Sequence, residues 1–132
     1  MKVGVRRSTS SSPWQKAGSK VKVLRSHEIN RSPGGTIAFE GDTLGSGVSF
    51  FAVNNAPGEG PELHTHPYPE TWLVRSGQVR LTAGSETLEA GPGDIVVVEA
   101  NMPHGFKNIG TERLDILCLH SSPRFIQEWL ED

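Results

Sequence analysis

The chain has 132 residues, 35% of them apolar and 21% charged, with a formal charge of −2, which fits one domain with a core of its own. Seven of the thirteen Lys and Arg residues fall within positions 1–25, where there is no acid, so the rest of the chain is acidic; nucleic acid, which needs a basic face, is not an expected partner. No stretch approaches the roughly 18 apolar residues of a membrane-spanning helix, and a single cysteine, Cys118, excludes an intramolecular disulfide.

Residues 1–19 are basic, Ser-rich and without hydrophobic periodicity, and read as a flexible arm. The Arg6-Arg7 pair is followed by STSSSPWQK rather than an apolar core. No export signal is read there, and a cytoplasmic location is expected. Glycine (15) and proline (9) make up 24 of 132 residues. They fall in turn-like clusters, the mark of many short strands. Strands are predicted at Val21–Arg25, Thr36–Glu40, Val48–Val53, Glu62–His66, Glu70–Arg75, Gln78–Ala83, Thr87–Glu89, Ile95–Glu99, His104–Asn108 and Arg113–Leu119. Tight turns are predicted at Ser76-Gly77, Gly84-Ser85, Pro92-Gly93 and Ile109-Gly110-Thr111. This density of short strands implies an all-β sandwich or barrel over residues 20–120.

One helix is predicted, within residues 121–132. Ser122 can cap it, Pro123 suits its first turn, and Phe125, Ile126, Trp129 and Leu130 form an apolar stripe. That stripe is expected to pack on the barrel or on a second subunit.

The chemistry concentrates in a few residues. His64 and His66 are two apart on a predicted strand, so both imidazoles project to one side. Pro67 and Pro69 turn the chain, and Glu70 opens the next strand, where its carboxylate can return to the same place. His104 comes from a separate hairpin and can close the set. Three imidazoles and a carboxylate suit one divalent transition metal ion: Fe, Mn, Ni, Zn, Co or Cu. Around an octahedral ion such a set leaves two positions for substrate, water or O₂. His27 and His120 belong to no such pattern and read as structural or exposed.

By strand alternation Trp72 shares the face of Glu70, and Phe106 and Asn108 share that of His104. These three are pocket candidates, and Phe39, Phe50 or Phe51 can complete an apolar wall. Such a pocket suits a small organic molecule with an apolar or aromatic part and a chelating pair of oxygens. Near the motifs only Arg75, Arg80 and Lys107 are basic, too few for a phosphosugar or nucleotide-sugar ligand.

The spacing of Gly58, His64, His66, Glu70 and Gly77 is complete for G-x5-H-x-H-x3,4-E-x6-G, the first motif of the cupins. Gly93, His104 and Asn108 fit the second, G-x5-P-x-G-x2-H-x3-N, with Glu99 in place of Pro and Asn101 in place of Gly. Asn tolerates positive φ better than most residues, so that departure is mild. Over about residues 35–120 the chain thus resembles a single-domain cupin. The resemblance implies a jelly-roll barrel and a metal-dependent enzyme acting on a small molecule, either dioxygenase-like or a Lewis-acid isomerase or cyclase. In the redox-neutral case Glu70 would leave the metal and act as general base, with Tyr68 as proton donor if it faces inward. A homodimer is expected, because cupins commonly pair. The alternative is a non-catalytic binding or metal-stabilised scaffold.

Overall fold

A computed structural model describes residues 20–130; the predicted flexible arm, 1–19, lies outside the described residues. Ten strands form two five-stranded sheets. They are β1 (Ile37–Glu40), β2 (Ser49–Asn55), β3 (His64–Thr65), β4 (Glu70–Ser76), β5 (Val79–Ala83), β6 (Glu86–Ala90), β7 (Ile95–Val98), β8 (His104–Asn108), β9 (Leu114–His120) and β10 (Glu128–Trp129). The orders are β1-β2-β9-β4-β7 and β10-β3-β8-β5-β6, and every pairing is antiparallel. Among the described residues there is no α-helix, only 3₁₀ turns at Ser26–Glu28 and Asp42–Leu44. Among the described residues no helix is long and apolar enough to cross a membrane.

Period-2 patterning sets the core. Along β2 and β9 burial alternates residue by residue, and the inward positions bring Val53, Trp72, Leu81, Phe106 and Ile116 together. Two turn positions show what the motifs require. Gly77 has φ 90°, and a Cβ there would stand 2.7 Å from the Arg113 carbonyl oxygen, so only glycine fits. Asn101, which replaces a motif glycine, has φ 65° and is the one non-glycine with positive φ among the described residues.

The outer face of the first sheet is unusually apolar. Cross-strand register aligns Phe39, Phe50, Leu119, Thr71 and Val97 in one row, and Ile37, Ala52, Leu117, Leu73 and Ile95 in the next. Ile95 is 68% exposed and Val97 65%.

Two expectations fail. Val21–Arg25 forms no strand. The helix expected within 121–132 is an extended strap ending in β10, which pairs with β3. A segment this short is marginal as a helix on its own, and the barrel offers its backbone better partners. Pro123 O accepts from Asp42 N, Phe125 N donates to Glu40 Oε2, Ile126 N donates to the Tyr68 hydroxyl and Leu130 N donates to Leu63 O. Ser122 Oγ accepts from Arg124 N in a local turn.

Candidate metal centre

Four side chains converge where the two sheets close. His64 in β3 lies in register with His104 in β8. His66 follows β3, and Glu70 begins β4 after the Pro67-Tyr68-Pro69 turn. One ligand atom from each of His64, His66, Glu70 and His104 lies within 4.8 Å of the other three, and all four residues are buried.

Each imidazole is aimed by its far nitrogen. His64 Nδ1 donates to Glu62 O at 2.7 Å, His66 Nδ1 to Ile126 O at 3.0 Å and His104 Nδ1 to Met102 O at 2.8 Å. A carbonyl only accepts, so each Nδ1 carries the hydrogen, and in a neutral ring Nε2 presents its lone pair inward. Metal-ligating histidines are commonly fixed this way.

Glu70 is oriented with the same economy. Its Oε2 accepts from Trp72 Nε1 at 2.6 Å and faces His120 Nε2 at 3.3 Å. That leaves Oε1 turned to His66 Nε2 and His104 Nε2, each at 2.9 Å. Lone pairs and a carboxylate oxygen cannot face one another without a positive charge between them. A proton can supply it, and so can a divalent cation, which would engage all four groups at once. The donor set therefore fits a transition metal.

In the metal-free site, protons on the imidazoles supply that charge. Burial pushes the Glu70 carboxyl up, but hydrogen bonds with His104, His120 and His66 outweigh it and hold the group well below its ordinary value. Burial lowers His104, yet its bond to Glu70 leaves it raised. His64 makes no bond to Glu70, and burial takes it down to about 4. The Cys118 thiol is pushed well above its usual value by burial, so it stays an uncharged wall group.

The other expected residues divide. Trp72 and Phe106 line the cavity beside Glu70, and so does Phe51. Phe39 and Phe50 do not; they stack on each other on the outer face, with centroids 5.0 Å apart. Asn108 is not among the lining residues either. Its amide donates to Asn55 O and Glu112 O and accepts from Gly110 N, which pins the loop after β8. Tyr68 is buried, but its hydroxyl is engaged with His120 Nδ1 at 2.7 Å and accepts from Ile126 N. Its ring stacks on His66 with centroids 5.0 Å apart, and its hydroxyl reaches Glu70 only through His120. Arg75, Arg80 and Lys107 pair with Asp115, Glu89 and Glu62, and none of them lines the cavity.

His120 is the residue that sequence reasoning missed as part of the site. It is buried, in register with Glu70, and lines the cavity. Alternation along β9 carried the signal, since Leu114, Ile116 and Cys118 share its face. His27 is exposed, as expected.

Comparison with known proteins adds the following. Residues 51–120 match the sequence model of the Cupin domain family. An uncharacterised protein of Streptomyces coelicolor, SCO3923, is 36% identical over 58 residues, covering 44% of this chain and 54% of that protein. Among solved structures, the oxalate decarboxylase of Lactobacillus farciminis in complex with formate aligns with a TM-score of 0.66 at 25% identity, covering 74% of this chain and 31% of that one. A structure of the Bacillus subtilis oxalate decarboxylase concerned with its Mn(II) centres aligns at 0.68 and 26%, covering 76% and 29%. The chain thus spans about half of the curated relative and under a third of the decarboxylases.

Proposed function

Since the chain belongs to the cupin family, with more than half of it matched by the family's domain, we propose that it is a metal-dependent enzyme acting on a small organic molecule. One observation carries this reading: the convergence of one ligand atom from each of His64, His66, Glu70 and His104 within 4.8 Å, beside a cavity with aromatic walls. A divalent metal bound there supplies Lewis acidity and, when redox-active, electrons. The chain's own part is to orient and to exclude water. Trp72 and His120 hold Glu70 Oε2, so that Oε1 would be the oxygen left for the ion, and Trp72, Phe106 and Phe51 form the apolar walls.

We favour dioxygenase-like chemistry over proton abstraction by Glu70. Both of its oxygens are engaged, Oε2 by Trp72 and His120 and Oε1 among the imidazoles, which counts against a Lewis-acid isomerase or cyclase that borrows this group. The decarboxylase likeness suggests oxalate as a substrate, but among the described residues no Lys or Arg lines the cavity to meet a dicarboxylate. The test is metal analysis of the purified protein, followed by O₂ uptake with catechols, thiols and 1,3-diketones and CO₂ release from oxalate. A redox-inert metal with no O₂ uptake would contradict the oxygenase reading.

A second reading is a metal-stabilised scaffold. It is favoured by the room in the cavity, about 20 Å³, which holds a single water.

We also infer a homodimer through the outer face of the first sheet. Its two aligned rows tile roughly 300 Å² at ordinary strand spacing, the apolar centre of an interface that needs about 800 Å² per partner. A second copy is the fitting occupant: the rim carries both Arg75 and Asp115, which suits a two-fold contact of a patch with itself. A cytoplasmic location remains part of this reading.

A further inference from the structure

The residues that line the cavity differ in one respect. Nine of the eleven are buried, and the two that reach solvent, Gln127 and Trp129, both belong to the strap. Phe125, Gln127 and Trp129 alternate on its inner side, while Ile126 and Glu128 face out. The strap is therefore the wall between the cavity and bulk water. With room for one water behind it, a ligand of several atoms reaches the metal only if the strap moves.

The two ends of the strap are held differently. At the near end Phe125 stacks on Phe51 with centroids 4.2 Å apart, and Arg124 pairs with Asp42 at 2.9 Å. Beyond it, β10 pairs with β3 over two residues, and Glu128, Trp129 and Leu130 are exposed. Such a segment sits at the low end of local stability. Between the two ends lies Ile126. Its carbonyl accepts from His66 Nδ1, and its N–H donates to Tyr68, which reaches Glu70 through His120. Closing the strap thus braces two metal ligands.

We propose that residues 126–130 are the gate of this cavity, hinged at Phe125, and that Gln127 is the side chain with which the gate reads the ligand. The proposal rests on the metal-centre reading above. Gln127 is the one lining residue with a neutral amide, and that amide makes no hydrogen bond within the described residues. With no cation in the lining, the ligand class is a small planar molecule. Its oxygens would go to the metal, its apolar part would meet the walls that Phe51 and Trp72 contribute, and a polar substituent would meet Gln127.

A reversible lock tests the gate. Thr65 and Glu128 are register partners on the solvent side of β3 and β10, a spacing that suits a disulfide, and Cys118 is buried away from them. Thr65→Cys with Glu128→Cys, stripped of metal, is offered Co(II), whose visible spectrum reports the site. The oxidised form should take up Co(II) at least ten-fold more slowly than the same protein reduced with dithiothreitol. Equal rates overturn the gate. No uptake by either form removes the metal centre, and the gate with it. For Gln127 the probe is 4-nitrocatechol, added to Co(II)-loaded protein. Gln127→Leu should weaken its binding at least five-fold and leave the Co(II) spectrum unchanged. Unaltered affinity, or no binding by the parent protein, overturns the role of Gln127.

Discussion

Trp72 donates its indole N–H to Glu70 Oε2 at 2.6 Å, and this bond decides which oxygen of the carboxylate faces the three imidazoles. Trp72→Phe keeps most of the ring volume and deletes the donor. Supporting bonds of this kind typically are worth about 10- to 100-fold in metal affinity. Titration of the variant with Mn(II) should show a loss in that range, with the fold kept by circular dichroism. Affinity equal to the parent would mean that the indole only fills space.

His66→Ala removes one of four ligands. Metal bound to the native state adds about 2.7 kcal/mol at a free concentration 100-fold above the dissociation constant. The metal-loaded parent should therefore melt well above its metal-free form, and the variant should lose most of that gap. Calorimetry with and without a chelator measures it.

The pH dependence of the metal-free protein has a definite sign. His64 is lowered in the fold, from 6.5 to about 4, chiefly by burial. Between those values the unfolded chain binds the extra proton, so this contribution is full above pH 6.5 and is lost as pH falls towards 4. Glu70, also lowered, acts in the same direction below its ordinary range. His104 is raised, so its contribution is full below pH 6.5 and is lost as pH rises through its folded value. Thermal melts from pH 7 to pH 4 should fall more steeply for the parent than for His64→Gln. Parallel curves would contradict the assignment.

Much of the site was legible because strand periodicity and motif spacing are local. His64 and His66 share a face by period 2, Glu70 follows a proline-bounded turn, and Asn101 stands where the backbone turns to positive φ. What was not legible depends on distant partners. Nothing near Phe125 reveals that Glu40, Tyr68, His66 and Leu63 will capture the backbone of 125–130, so its apolar spacing reads as a helix. His120 lies 50 residues from Glu70 in sequence and meets it only through the register of β9 on β4. Asn108 shares the strand alternation of Phe106, but bends to the loop carbonyls instead of the cavity.

The homodimer proposed above rests on the apolar rows of the outer sheet. Leu117→Lys places a charge at the centre of the inner row, beside Ala52 and Leu73. Light scattering should find a dimer for the parent and a monomer for this variant, with metal content unchanged. A parent that stays monomeric at micromolar concentration would contradict the dimer.

The most direct measurement is isothermal titration of the metal-free protein with Mn(II), for the parent and for the double variant His66→Ala, His104→Ala. The account requires one ion per chain in the parent and no measurable binding in the double variant. Equal binding by both proteins, or none by the parent, would contradict it.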